Sequence, residues 1–367
     1  MDLQLAKHER MLLALLRAAL AQKPAEVAVF SDCSLEQWAA CYKLAVAQGV
    51  MAIAWDGATT LPSEMRPPKA IRLKWMVAVD DYEKRYRYYC KTIQTLSAFY
   101  TAHGITTMQM KGVGFSSYYP VPSHREGGDI DIYTFSADQS VMSDKEANSL
   151  ADQLMEQQNI KVDFEHAKHS VFYYHNVPIE NHKSFLDIEE LKIAVPVEAE
   201  LKKVMSPKDI ALLDGECTIK IPSSAFNTLF ISFHAMQHYG TGMTLHHLCD
   251  WACLLNRQGL QVPQSITNPY YLSMISTLTA FTNKYLGTDV QTDSTDEAVD
   301  RMMYEILHSP YLEVPVTRNL FTIFCHKAYR FMHLAKLRKE IMGEVVWRTV
   351  WSSILLHLRK PEIFFKL

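Results

Sequence analysis

The sequence predicts an α/β fold, in which a small core with a short mixed β-sheet is flanked by N- and C-terminal helical regions. Three observations support this class. Apolar residues repeat at helical spacing through 1–103, strand-forming runs appear within 104–195, and helical periodicity returns over 196–367. We therefore predict three regions with these boundaries, of which the middle one is the α/β core.

The N-terminal region predicts several helices. An apolar stripe at helical spacing runs from Leu12 to Leu20. The segment "SLEQWAACYKLAVAQG" begins at Ser34, a suitable N-cap, and ends at Gly49, a suitable C-cap. After the break "TTLPSEMRPP", a long helix is expected through "KWMVAVDDYEKRYRYYCKTIQTLSAFYTAHG". The tyrosines on that helix indicate packing rather than a cofactor site.

The middle region alternates strands and helices. "ITTMQMKG" predicts a short strand, "VGFSSYYP" one or two helical turns, and "GDIDIYTF" a strand with period-two alternation. "DKEANSLADQLMEQQ" predicts a helix, and β-rich runs follow in "IKVDFEHAKHSVFYYHN" and "VPIENHKSF". From about residue 190 onward we expect helices only.

Composition excludes some classes of protein. Hydrophobic residues make up 48% and charged residues 21%, which is typical of a globular chain. The formal net charge of −3 means that the chain has no overall excess of positive charge to attract nucleic acid, so a nucleic-acid partner is disfavoured. The seven cysteines are scattered and lack a C-x-x-C pair, which fits a reducing cytoplasm. The sequence contains no uninterrupted run of ~18 apolar residues, so no transmembrane segment is expected.

Two aspartates in "REGGDIDIY" are the first candidate site residues. On a strand, Asp129 and Asp131 project from the same face, so their carboxylates repel each other. A divalent cation with a preference for oxygen ligands, Mg²⁺ or Mn²⁺, would remove that repulsion. The same spacing occurs in "VDFEH" and "LDIEE", so the spacing alone is also compatible with an exposed strand face.

The segment preceding the aspartates predicts a phosphate-binding turn. Gly112 and Gly114 would let backbone N–H groups face a phosphate, and Lys111 would add a positive charge. Arg125 offers a forked donor for phosphate, and Gly128 would allow a ligand to approach the backbone. A phosphate-binding turn followed by metal-binding carboxylates is the combination of groups that phosphoryl or nucleotidyl transfer uses.

This ordered block resembles the uncharacterised nucleotidyltransferase family of the polymerase-β-like superfamily. The resemblance covers 105–135 and extends to about 255. It implies a small nucleotidyltransferase core that moves a nucleoside monophosphate from an NTP such as ATP to an unknown acceptor hydroxyl, with Mg²⁺ or Mn²⁺ and with release of pyrophosphate. The matching positions are Lys111, Gly112, Tyr119, Pro120, Pro122, Arg125, Gly128, Asp129 and Asp131.

The resemblance also implies a third carboxylate on a later strand that is followed by a histidine. In "VPIENHKSF" this is Glu180, with His182 on the same strand face, while Asp187 is the rival. The resemblance thus assigns catalysis and metal binding to Asp129, Asp131 and Glu180. Oligomeric state stays open.

Two other functions are alternatives. A catalytically inactive core would bind nucleotide or a partner without chemistry. A histidine-based metal hydrolase would use His234 and His238, which lie on one helical face; otherwise these histidines line the cleft, as does His182. The C-terminal stretch "VVWRTVWSSILLHLRKPEIFFKL" predicts a packed helix, with contact to a membrane surface as the alternative.

Overall fold

The structure is a computed structural model that describes residues 4–239, 242–308 and 320–343. It confirms the predicted α/β class, with a mixed five-stranded sheet flanked by helices on both sides in sequence. The three predicted region boundaries stay a prediction.

Four helices precede the sheet. The second of them begins at Ser34 as predicted, since the Ser34 side chain accepts a hydrogen bond from the backbone N–H of Gln37. The fourth is the long helix expected after the proline-rich break. The helices are α1 (Lys7–Ala21), α2 (Leu35–Ala47), α3 (Met51–Thr59) and α4 (Lys69–Thr101).

The main sheet has the strand order β1-β2-β5-β4-β3. Its strands are β1 (Ile105–Gln109), β2 (Ile130–Ser136), β3 (Val162–Asp163), β4 (His169–Tyr174) and β5 (Val177–His182). The neighbours β2 and β5 run parallel, whereas the other pairs are antiparallel. The short helix α5 (Val113–Ser116) lies between β1 and β2 in sequence, and α6 (Asp144–Gln157) packs on β2. This register places Asp131 directly opposite Glu180.

The C-terminal region contains a hairpin that the sequence analysis did not predict. The expectation of helices only after about residue 190 is wrong, because Cys217, Ile219 and Ile221 alternate with polar residues and bury one face of a strand. The elements are α7 (Ala194–Val204), β6 (Lys208–Leu212), β7 (Cys217–Ile221), α8 (Ser224–Tyr239), α9 (Leu245–Gln258), α10 (Pro269–Leu286), α11 (Asp296–Leu307) and α12 (Leu320–Met342).

Helices from both ends of the chain share one apolar core. Leu12 of α1, Trp38 of α2 and Trp251 of α9 are all buried in it. A second cluster fills the space between α4, α6 and the sheet, and it includes Ile130 and Ile179. Ile130 and Ile179 thus lie on one face of β2 and β5, and Asp131 and Glu180 lie on the opposite face.

The sequence analysis expected no transmembrane segment and no disulfide framework, and the described residues bear on both. Among them, no helix combines the length and apolarity needed to cross a membrane. All seven cysteines lie in the described ranges, and none of them forms a disulfide. The C-terminal stretch for which membrane contact was the alternative, 345–367, lies outside the described residues.

Candidate functional site

Three carboxylates meet where β2 begins. Asp129 immediately precedes β2, Asp131 lies within it, and Glu180 lies opposite Asp131 on β5. One oxygen from each of the three lies within 4.8 Å of the others. The rival Asp187 is not in this group; its side chain accepts a hydrogen bond from the backbone N–H of Glu190 at 3.1 Å. Parallel pairing of β2 with β5 thus brings together the three carboxylates that the sequence analysis favoured.

Asp131 is the most buried of the three, with 1% of its surface exposed. Its Oδ1 is 3.1 Å from Lys111 Nζ and 3.0 Å from His182 Nε2. Its Oδ2 is buried and has no hydrogen-bond partner among the described residues. Burial raises the pKa of the Asp131 carboxyl, but Lys111 and His182 outweigh burial and hold that pKa below its usual value.

The environments of the carboxylates push their pKa values apart. Burial, followed by repulsion from Asp131, raises the pKa of Asp129. Burial also raises the pKa of Glu180, but the hydrogen bond from His182 reverses this, so the net pKa of Glu180 is lowered. Three clustered carboxylates, one of which has a buried oxygen without a partner among the described residues, fit a hard divalent cation such as Mg²⁺ or Mn²⁺.

The turn after β1 shows why two glycines are required there. Gly112 adopts a positive φ of 57°, and a Cβ on it would lie 3.3 Å from the carbonyl oxygen of Asp129. A Cβ on Gly114 would lie 2.6 Å from the carbonyl oxygen of Gln109, and the Gly114 N–H donates to the Lys111 carbonyl at 2.9 Å. Gly112 therefore lets the turn approach the aspartates, whereas Gly114 serves close packing and has its N–H engaged within the turn.

Arg125 is held in a buried ion pair. Its Nε donates to Asp250 Oδ1 at 2.9 Å and its Nη2 donates to Asp250 Oδ2 at 2.7 Å. The Tyr119 hydroxyl donates to the same Oδ1 at 2.5 Å. Two positions of the sequence motif, Tyr119 and Arg125, thus converge on one carboxylate of α9. The loop before β2 is fastened to the C-terminal helices by this contact.

The last predicted nucleotide-binding position, Gly128, is open on its side-chain side. A Cβ there would meet no atom within 4 Å. The Gly128 carbonyl accepts a hydrogen bond from the Tyr89 hydroxyl of α4 at 3.1 Å. The backbone before the aspartates is therefore tied to α4 while one side of it stays accessible.

Sequence reasoning missed Lys168. Burial, followed by repulsion from Lys111, lowers the pKa of Lys168, while Asp131 and Glu180 act in the opposite direction. Lys168 is therefore a second lysine within electrostatic range of the carboxylates. No motif marks a single lysine before a strand, so only the pairing of β4 with β5 could have revealed it.

The predicted cleft histidines occupy two positions. His182 is fully buried, and its Nε2 lies between Asp131 and Glu180, at 3.4 Å from Glu180 Oε2. His234 and His238 lie on α8, and Lys111 is among the charges that lower the pKa of both, after burial. His247 of α9, which belongs to the same histidine-rich segment of the sequence, joins them: one ring nitrogen of each of the three lies within 4.8 Å of the others.

A model of the uncharacterised nucleotidyltransferase family matches residues 34–281, about two thirds of the chain. The chain belongs to this family. The match begins at α2 and ends in α10, so it leaves out α1 but includes α2, α3 and α4, for which the sequence offered no motif. No curated protein and no solved structure matches the chain.

Proposed function

We propose that the protein is a metal-dependent nucleotidyltransferase that moves a nucleoside monophosphate from an NTP to an acceptor hydroxyl and releases pyrophosphate. Membership of the family supports the class of reaction. The observation that carries the proposal is the cluster of Asp129, Asp131 and Glu180, in which a buried oxygen of Asp131 has no partner among the described residues. We further propose that the protein acts in the cytoplasm, as the free cysteines suggest.

The three carboxylates have distinct roles in this proposal. Asp129 and Asp131 hold Mg²⁺ or Mn²⁺, and Glu180 completes the set of ligands. A bound ion would neutralise the developing negative charge on the phosphate oxygens. As a ligand of that ion, Glu180 would help to place it where it favours deprotonation of the acceptor hydroxyl.

Positive charge for the triphosphate comes from lysines. Lys111 lies beside Asp131, with 17% of its side chain exposed, and it has a pKa raised by the carboxylates around it despite burial. Lys168 adds a second positive charge that interacts electrostatically with Asp131 and Glu180. Gly112 and Gly128 provide the accessible backbone. Arg125, which the sequence analysis offered as a phosphate donor, is better explained as a positioning residue that is held by Asp250.

The function is tested by calorimetric titration of ATP, GTP, CTP and UTP into the protein with and without Mg²⁺. We expect one or more nucleotides to bind only with the metal, and Asp129→Asn/Asp131→Asn to lose that binding. The matched control is Asp163→Asn/Glu165→Gln, because these exposed residues have the same spacing but lie outside the cluster. Equal binding by wild type and by Asp129→Asn/Asp131→Asn would refute the proposal.

A further inference from the structure

We propose that His234, His238 and His247 form a second metal centre, for Zn²⁺ or a similar transition-metal ion, separate from the carboxylate cluster. His234 and His238 are four residues apart on α8, so both rings project from the same face of the helix. His247 comes from the first turns of α9. Helices on either side of one short connection thus supply three imidazoles to one point, with one ring nitrogen of each within 4.8 Å of the others.

The distance between two of the nitrogens suits such an ion. His234 Nε2 and His238 Nε2 are 3.2 Å apart. In a tetrahedral site with Zn–N bonds of about 2.0–2.1 Å, two ligand nitrogens lie roughly 3.3 Å apart. The two rings therefore have the separation that shared coordination requires, although a hydrogen bond between them would give a similar distance.

Contacts with Thr244 hold the ring of His247 at the start of α9. Its Nδ1 lies 3.3 Å from the backbone nitrogen and from the carbonyl oxygen of Thr244, and 3.2 Å from Thr244 Oγ1. A backbone carbonyl is a usual partner of the ring N–H of a metal-binding histidine, so metal binding would select the tautomer whose Nδ1–H donates to Thr244.

The cluster lies partly at the surface. His234 and His238 are half-buried, whereas His247 is buried. An ion can therefore reach the cluster from the side of α8.

The two centres would bind different metals, because one offers imidazole nitrogens and the other carboxylate oxygens. Imidazole suits Zn²⁺ and Co²⁺, whereas the carboxylates suit Mg²⁺ and Mn²⁺. Three protein ligands leave a fourth position for water or for an oxygen of a bound substrate. The charge of Lys111, which disfavours protons on His234 and His238, also opposes a cation, so we expect weaker binding than at a site with anionic ligands.

The test is a titration of EDTA-treated full-length protein with Co²⁺, followed by the visible d–d absorption of tetrahedral Co²⁺. We expect one ion per chain in the wild type. The band should disappear in His238→Gln and in His234→Gln. If one of these two variants does not fold, the other still gives the result. It should persist in His103→Gln, a control at an exposed histidine, and in Asp129→Asn/Asp131→Asn.

One further variant separates the histidine cluster from a competing site. His169, Glu180 and His182 also bring one ligand atom each within 4.8 Å of one another. His169→Gln should leave the Co²⁺ band unchanged. The proposal is overturned if wild type shows no tetrahedral band, if the band survives in folded His238→Gln or His234→Gln, or if it is lost in His169→Gln but kept in the other two.

Discussion

Substitution of Asp250 by asparagine separates a structural role of Arg125 from a role in phosphate binding. Arg125 and Asp250 are 8% and 2% exposed, and two hydrogen bonds join their side chains. Asparagine has nearly the same shape as aspartate, so the change opens no cavity. It removes the negative charge and turns one acceptor into an amide donor that faces the guanidinium of Arg125.

The size of the effect follows from burial. Removal of one partner of a buried ion pair leaves an uncompensated charge and costs about 3–5 kcal/mol of unfolding free energy. The matched control is Asp209→Asn, since Asp209 pairs with Lys220 at 2.9 Å while 60% of its side chain is exposed. Exposed pairs contribute roughly 0–1 kcal/mol, so this control should be nearly neutral.

Urea denaturation followed by far-UV circular dichroism measures both variants against wild type. A third variant, Arg125→Met/Asp250→Leu, removes both charges and should be more stable than Asp250→Asn, because no unpaired charge stays buried. If Asp250→Asn loses less than about 1 kcal/mol, or no more than Asp209→Asn, the ion pair does not hold Arg125. A direct role of Arg125 in phosphate binding would then regain support.

Three further predictions concern packing, the metal site and pH. Gly114→Ala should lower the free energy of unfolding by about 1–3 kcal/mol because of its contact with Gln109, whereas Gly127→Ala, with open space around it, should not; equal urea midpoints would contradict this. His182→Leu should weaken Mg²⁺-dependent nucleotide binding by roughly 10–100-fold in calorimetry, because it removes the hydrogen bond to Asp131; unchanged affinity would refute that role. Because the pKa of His247 falls from 6.5 to about 3 on folding, the unfolded chain binds more protons below pH 6.5. In EDTA-treated protein, stability should therefore fall as the pH drops from 6.5 towards 3, by up to about 1.4 kcal/mol per pH unit for this group, and His247→Gln should show a smaller slope in urea unfolding. Identical slopes would show that His247 does not titrate in this way.

Local patterns were sufficient to predict the centre of the fold. The alternation in "GDIDIYTF" identified β2, and the strand in "VPIENHKSF" is β5. Residues i and i+2 of a strand project from the same face. The spacing alone therefore predicted that Asp129 and Asp131 share a face. The position of Glu180 depended on the resemblance, because strand spacing does not determine which strands become neighbours.

Contacts between distant segments were beyond the sequence. The partner of Arg125 lies 125 residues further along the chain, so nothing near the motif indicated that its guanidinium is already paired. Gly114 was assigned to phosphate binding because glycine at a turn suggests an accessible N–H, but close packing against Gln109 requires glycine equally. The hairpin of β6 and β7 was missed although "CTIKI" alternates, since short apolar runs fit a helix or a strand.

The third member of the histidine cluster shows the same limit. His234 and His238 are joined by helical spacing, which the sequence displays. His247 reaches them only because α9 packs against α8, and that arrangement is a property of the core.

The central claim is that the three carboxylates hold a divalent ion together with a nucleotide. The most direct measurement is an electron paramagnetic resonance titration of Mn²⁺, with the free ion counted in the presence and absence of NTP. We predict that wild type binds Mn²⁺ more tightly with nucleotide present, and that Asp131→Asn loses this binding while His234→Gln, which leaves the carboxylates intact, keeps it. Undiminished Mn²⁺ binding by Asp131→Asn, or none by wild type with any of the four nucleotides, would contradict the account.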